Sequence, residues 1–335
     1  MKGHYKMDKH GMSVDIIIPT YRPDDEFYIL IEKLLRQTVS TRTQGGTSTD
    51  TFLNKILIIN TEAQYFDETK LESDERIEVI HITKPEFDHG GTRNHGASLS
   101  HADIIMFMTQ DAMPKDKYLV ENLTKPLMME SVAVSYARQL PNEKSGTIER
   151  YTRSFNYPST SSFKSKEDIQ TLGIKTYFCS NVCAAYKRDI YLSLHGFVTK
   201  TIFNEDMIMA SKVIDAGYKI AYVAEAKVIH SHKYTYRQQF TRNFDLAVSQ
   251  KQYEEIFSKV KSESEGIKLV KQTASYLCRK GKVYLLPDLI LQSGFKFLGY
   301  KMGYRFDRLS PKMVRRLSMN KSYWDKREAE KVDHV

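Results

Sequence analysis

Cysteine is scarce in this chain, and the little there is makes no pattern. Cys179, Cys183 and Cys278 are its 3 thiols. An odd count, with no second ligand pair beside Cys179 and Cys183, gives neither a disulfide framework nor a zinc site. They read as reduced, half-buried thiols of a reducing compartment. Long apolar runs are also missing. No stretch approaches the roughly 20 residues that span a bilayer. Residues 1–13 lack the apolar core of a secretory signal and read as a flexible leader. The expected location is cytoplasmic, with peripheral attachment to the inner face of the plasma membrane left open. Helix-turn-helix, zinc and RNA-recognition patterns are absent, so 50 Lys+Arg against 41 Asp+Glu, a net charge of +9, does not indicate nucleic acid. No G-x-G-x-x-G follows the first apolar run, and a dinucleotide fingerprint is excluded with it.

What remains is an ordinary globular composition, 41% hydrophobic and 27% charged, long enough for one large domain and an extension. Val14 to Pro19 is a short apolar run closed by proline, the signature of a buried parallel strand. Asp24 or Asp25 caps a helix after it. Residues 38–50, rich in Thr, Ser and Gly, read as an exposed loop. Further strands are expected at Ile56–Ile59, Ile77–Ile82 and from Ile104, with a helix from Thr92 to about Leu99 opened by Gly90-Gly91. Strand and helix alternate at βαβ spacing, which predicts a doubly wound sheet. Helix is expected at 117–130, 188–195 and 206–216, the last ended by Gly217 in a left-handed cap. Strands are expected at 132–137 and 220–223. Residues 139–175 are polar and interrupted by Pro141, Gly146 and Pro158, and read as a long surface excursion.

The chemistry gathers at strand ends. Asp111 stands where the apolar run from Ile104 gives out, and open α/β sheets collect ligands outside the carboxyl ends of their strands. A carboxylate there can hold a divalent cation against a diphosphate. Glu205-Asp206 opens a helix, where acids also favour the N-terminal dipole. His230 and His232 lie on one face of the chain if the backbone between them is extended.

Five segments, Ile18-Pro19-Thr20-Tyr21-Arg22, His89-Gly90-Gly91-Thr92-Arg93-Asn94, Thr109-Gln110-Asp111-Ala112, Asn204-Glu205-Asp206 and Val228-Ile229-His230-Ser231-His232, resemble in order and spacing the family 2 glycosyltransferases of GT-A fold. Within that group the chain looks most like bacterial rhamnosyltransferases of cell-wall or capsular polysaccharide. The resemblance implies an α/β GT-A fold: a nucleotide-binding, doubly wound mixed sheet with a helical C-terminal extension. It covers most of the chain and implies a glycosyltransferase domain at 14–252, with a nucleotide-binding half at 14–112 and an acceptor half at 113–252. It implies donor contacts from Thr20, Tyr21, Arg22, Asn60, Glu62, Arg93 and Asp111. Asn60-Thr61-Glu62 replaces the family's usual aspartate pair or Asp-Ser, with Glu62 in place of the missing carboxylate. A Mg²⁺ or Mn²⁺ is implied at Asp111, His230 and His232, and Asp206 is implied as the general base. The implied function is inverting transfer of L-rhamnose from dTDP-L-rhamnose to a lipid-linked saccharide. Transfer from a UDP-sugar (galactose, galactofuranose or N-acetylglucosamine) is the alternative, and a catalytically silent glycosyltransferase-like binding module is the rival of another class.

Residues 253–335 change character. From Leu285 to Lys331, apolar and aromatic residues interleave with Lys and Arg, which predicts a basic amphipathic helical extension. Such a segment suits a membrane surface, a homodimer contact or packing on the main domain, and the sequence leaves all three open.

Overall fold

The structure, a computed structural model, describes residues 11–39, 51–260 and 263–332. Most of the expected leader and of the 38–50 loop lie outside the described residues.

Ile16, Ile17 and Ile18 are all fully buried, yet they belong to different cores. Successive strand side chains point to opposite faces, so a run with no polar interruption must be covered on both. This is the reason β1 (Met12–Tyr21) lies mid-sheet. Ile16 and Ile18 pack with Phe27, Leu30 and Leu34 of α1 (Asp25–Leu35), whose N-cap is Asp24; its carboxylate accepts the Phe27 N–H at 3.2 Å. Ile17 packs on the other face with Ala97 of α2 (His89–Leu99). The elements between are β2 (Thr51–Thr61), β3 (Ile77–Ile82), α2 (His89–Leu99) and β4 (Ile104–Met108). β2, β1 and β4 run parallel, as do β2 and β3. The βαβ reading of this half holds, with β2 longer than its apolar centre because Asn54 bonds Asp15 at 2.8 Å and Lys55 pairs Glu78 at 2.6 Å.

The second half continues the same sheet with mixed direction. It contains β5 (Met113–Pro114), α3 (Leu119–Thr124), β6 (Val132–Leu140), α4 (Thr147–Asn156), β7 (Ser162–Lys164), α5 (Ile169–Leu172), β8 (Cys183–Lys187), α6 (Arg188–Ser193), α7 (Glu205–Asp215) and β9 (Lys219–Ile229). The strand order is β3-β2-β1-β4-β8-β6-β9-β5, with β7 on β9. β8 is antiparallel to both neighbours, while β6 and β9 are parallel. Residues 139–175 are therefore not a structureless excursion, since they contain α4, β7 and α5. Gly217, after α7, takes φ +87° as expected. Cys179 and Cys183 are fully buried and Cys278 is exposed, so none of the thiols is half-buried as expected, and burial pushes the Cys179 thiol up to about 12.

The C-terminal part is helical: α8 (Tyr236–Gln252), α9 (Glu254–Phe257), α10 (Glu263–Arg279), α11 (Leu286–Gly303), α12 (Pro311–Leu317) and α13 (Lys321–Val332). α11 lies on α8 at close range. Gly299 and Gly303 touch the backbone at Phe240 and Phe244, where a Cβ would collide with the carbonyls. Asp245 accepts the Met319 and Asn320 N–H groups at 2.8 and 3.1 Å, which fastens the α12–α13 turn to α8.

Candidate active site

The carboxyl ends of β1, β2 and β4 lie side by side, and the connections part there, α1 covering one face and α2 the other. Ligands of open α/β sheets bind in such crevices. Thr20 is buried, and its hydroxyl donates to the Ile18 carbonyl at 3.2 Å. The Tyr21 N–H donates to Gln110 Oε1 at 2.7 Å, and Gln110 Nε2 returns a bond to the Tyr21 carbonyl at 3.2 Å. Arg22 follows in a left-handed conformation, φ +48°. Its Nη2 donates to the Tyr65 hydroxyl at 2.8 Å, and its guanidinium lies 4.2 Å from the centre of that ring. Tyr21 and Tyr65, both exposed, meet edge to face with centroids 6.0 Å apart. A planar cation between two exposed rings is a surface on which a nucleobase can stack. Asn60 is buried at the end of β2. Its amide nitrogen meets His81 Nδ1 at 3.0 Å, while its Oδ1 has no partner among the described residues. Glu62 is engaged by its own loop and by the loop that follows β3. The Lys84 N–H at 2.7 Å and the Gln64 amide at 2.8 Å hold its carboxyl below the usual range.

Asp111 meets the two histidines because of a short antiparallel pairing. Met113 lies opposite Ile229 and Pro114 opposite Val228, so the residues just before β5 lie beside those just after β9. Asp111 Oδ2 is 3.4 Å from His230 Nε2 and 3.3 Å from His232 Nε2. The two imidazoles stand edge to face, centroids 4.5 Å apart. One ligand atom from each of the three residues falls within 4.8 Å of the other two. Burial pushes the Asp111 carboxyl up, but the hydrogen bond and charge of His230, with His232 behind them, hold it below the ordinary carboxylate range. Burial also lowers the His232 imidazole, which favours the neutral ring that binds metals. Two imidazoles and one carboxylate, converging and leaving one side open, fit a divalent transition ion whose remaining positions are filled by oxygen ligands.

Asp206 lies in the first turn of α7, behind Asn204, which holds the left-handed conformation at the N-cap. Its Oδ2 accepts the Asn181 N–H at 3.3 Å and its Oδ1 the Met207 N–H at 2.8 Å. Burial, and then the neighbouring Glu205 charge, push this carboxyl up to about 7. Glu205 is itself paired: Arg93 Nη1 lies 3.4 Å from its Oε1, with both side chains almost fully buried. Arg93 also donates to the His89 carbonyl at 2.8 Å. The sequence reading turned Arg93 towards donor oxygens, but here its charge faces a protein carboxylate.

A profile of the family described as Glycosyl transferase family 2 matches residues 15–194. Over 322 residues the chain is 38% identical to the O-antigen chain rhamnosyltransferase RfbN of Salmonella typhimurium, a match covering 94% of this chain and 96% of that protein. This chain belongs to the family 2 glycosyltransferases. It is also 37% identical over 319 residues to the O-antigen chain rhamnosyltransferase WbaN of Salmonella anatum, covering 93% of this chain and 96% of that one. The solved mannosyltransferase PcManGT from Pyrobaculum calidifontis, in complex with GDP-Man and Mn²⁺, has a TM-score of 0.52 at 12% identity. That match covers 94% of this chain and 86% of the other, and shows a common fold.

Three residues of this glycosyltransferase that the sequence reading passed over join the two halves of the site. The Ser180 hydroxyl accepts from Gln139 Nε2 at 3.0 Å, and Gln139 in turn meets His230. Asn181 donates its N–H to Asp206, and the Val182 carbonyl accepts the Thr109 N–H at 3.2 Å, two residues before Asp111. One short segment thus spans from the acid of α7 to the three-residue cluster. Gln139 and Arg153 were also passed over, and both lie in or beside the region read as loop. No local signal marks any of them, because their importance comes from the β6–β8–β9 pairings.

Proposed function

We propose that this glycosyltransferase transfers L-rhamnose, with inversion, from dTDP-L-rhamnose to a lipid-linked saccharide during cell-surface polysaccharide synthesis at the inner face of the plasma membrane. The 38% identity to an O-antigen rhamnosyltransferase over nearly the whole chain supports the sugar. The mechanism rests on one observation, the convergence of Asp111, His230 and His232 at the mouth of β4.

Those three residues would hold Mn²⁺ or, less well because imidazole is a poor ligand for it, Mg²⁺. The cation supplies neutralising charge for the diphosphate as it leaves. Tyr21, Arg22 and Tyr65 receive the base, with Thr20 and Asn60 setting the floor of the crevice and Glu62 fixing its rim. Asp206 accepts the proton of the acceptor hydroxyl. The hydroxyl oxygen then bonds to the sugar's anomeric carbon as the bond to the diphosphate oxygen breaks on the opposite face. A carboxyl pushed up to about 7 by burial is matched to that task near neutral pH. Arg93 acts on this site by holding Glu205.

The test is thermal stabilisation by a panel of dTDP- and UDP-sugars with and without Mn²⁺, since a ligand that binds the native state raises its apparent stability. Metal-dependent stabilisation by dTDP-rhamnose is expected. A preference for a UDP-sugar would replace the donor and keep the mechanism, and no response to any nucleotide sugar would overturn the reading.

A further inference from the structure

Between Gly266 and Arg305 the chain carries eight Lys or Arg and one Asp. The stretch covers most of α10, the following turn and α11, so much of the protein's positive excess lies on one helical hairpin. The apolar residues of α11 divide into two stripes. The inner one, with Leu289, Gly299 and Gly303 buried, packs inward, the two glycines against α8. The outer one leaves Ile290 and Leu291 exposed at 67% and 48%, and Phe297 and Leu298 at 59% and 53%. The turn before α11 adds Val283 and Tyr284, at 54% and 71%. Exposed basic residues stand at both ends, Arg279 and Lys280 before the apolar stretch, Lys301 and Arg305 after it. The one acid, Asp288, is engaged by the Tyr236 hydroxyl at 2.7 Å and by Gln292 at 2.9 Å.

A contiguous exposed apolar stripe marks an interaction surface. The charge pattern identifies its partner. Basic residues at the edges of aliphatic and aromatic side chains meet the requirements of an anionic lipid surface: the apolar groups enter the acyl boundary and Lys and Arg meet headgroup phosphates. We propose that the outer face of α11, with Val283 and Tyr284 of the preceding turn, docks this enzyme on an anionic bilayer. No helix among the described residues is long and apolar enough to cross a membrane, so this contact lies along the surface.

The docking face is fixed relative to the cleft. Tyr236 opens α8 four residues after His232, stacks on Phe295 of α11 with centroids 5.5 Å apart and rings inclined by 17°, and bonds Asp288. Bilayer contact through α11 therefore orients the segment that carries His230 and His232. Its use, presenting the cleft to a lipid-linked acceptor, rests on the transferase reading; the docking does not.

The experiment is flotation of the full chain with phosphatidylcholine vesicles and with vesicles that also contain phosphatidylglycerol. Wild type is expected to float with the anionic vesicles and to be released by salt. The triple variant Tyr284→Ser/Phe297→Ser/Leu298→Ser is expected to lose about tenfold or more of that partitioning. These side chains are exposed, so the variant's melting temperature and its stabilisation by nucleotide sugar stay at wild-type values. Wild type that ignores anionic vesicles, or a variant that binds them equally, overturns the proposal. So does a wild-type dimer that the triple variant converts to monomer, since the face would then belong to a second copy. Failure of the transferase reading appears separately, as absence of any nucleotide-sugar response in wild type.

Discussion

His230 Nδ1 lies 3.1 Å from Gln139 Oε1, and that contact determines what the other ring nitrogen can do. Gln139 has no freedom to turn its amide, because its Nε2 donates to Ser180 and its Oε1 also receives Arg153 Nη1. With an acceptor facing it, Nδ1 carries a ring hydrogen. Nε2 is the nitrogen left for Asp111 Oδ2, 3.4 Å away, which it meets either as a protonated donor or, with its lone pair free, through a metal. Two electron-rich atoms at that distance are stable only with a cation or a proton between them. Gln139→Leu is therefore expected to weaken Mn²⁺ binding by about 10- to 100-fold, the usual cost of losing a partner behind a metal ligand. Gln139→Glu, which still accepts from both neighbours, is expected to stay within about threefold of wild type. Titration of Mn²⁺ by electron paramagnetic resonance reads this without turnover, and equal affinity in all three proteins would remove the arrangement.

As the proposed base, Asp206 would connect activity to pH. With its carboxyl pushed up to about 7, it is protonated below neutrality and cannot take the acceptor's proton. kcat/KM is expected to rise with pH through about 7 and then level. Asp206→Asn is expected to lose at least about a hundredfold in kcat and to show no such limb. The same shift has a stability sign. A carboxyl whose folded-state value is raised contributes stability that is full below its unfolded value and lost as pH rises through about 7. Asp206→Asn should accordingly melt higher than wild type at pH 8, by up to about 6 °C, and no higher at pH 4. Equal melting at both would mean that this acid is not held against its ionisation.

Much of this architecture is legible in the sequence because burial on both faces of a sheet leaves an unmistakable mark. Ile16-Ile17-Ile18 and Ile104 to Met108 have no polar residue to place outside, so they had to be central strands. Helix α4 was missed for the converse reason. Of Thr147–Asn156 only Ile148 is buried, and Gly146 and Pro158 flank it, so a real helix had the composition of a loop. Its Arg153 then reaches Gln139, 14 residues back on β6, a contact that matters only because β6 runs beside β9. Arg93 illustrates a different limit. An arginine near a glycine turn suits a phosphate in any sequence, and only the fold shows Glu205 at 3.4 Å.

The Arg93–Glu205 pair is buried, and buried pairs are costly to break from one side. Arg93→Met is expected to destabilise the protein by about 3 kcal/mol in urea unfolding, chiefly because Glu205 is left without its cation. Arg93→Met/Glu205→Gln is expected to recover most of that loss. Removing the arginine also removes a charge that favours ionised Asp206, so the acidic limb of the pH profile should move upward in the single variant. A single variant as stable as the wild type would show that the pair is screened by solvent.

Arg22 separates binding from stability. Its backbone holds φ +48°, a conformation that favours glycine, while its side chain lies over Tyr65 at the lip of the crevice. Arg22→Gly relieves the backbone and deletes an exposed cation–ring contact, two effects of opposite sign and similar size. The melting temperature is expected to stay within about 2 °C of wild type. Donor affinity is expected to fall about tenfold, because the base loses the planar cation between Tyr21 and Tyr65. Tyr65→Ala should weaken donor binding to a similar degree with no compensating relief at residue 22. Calorimetric titration of the nucleotide diphosphate into the three proteins distinguishes the outcomes. Unchanged affinity in both variants would move the base away from this lip and towards Asn60 Oδ1, which has no partner among the described residues.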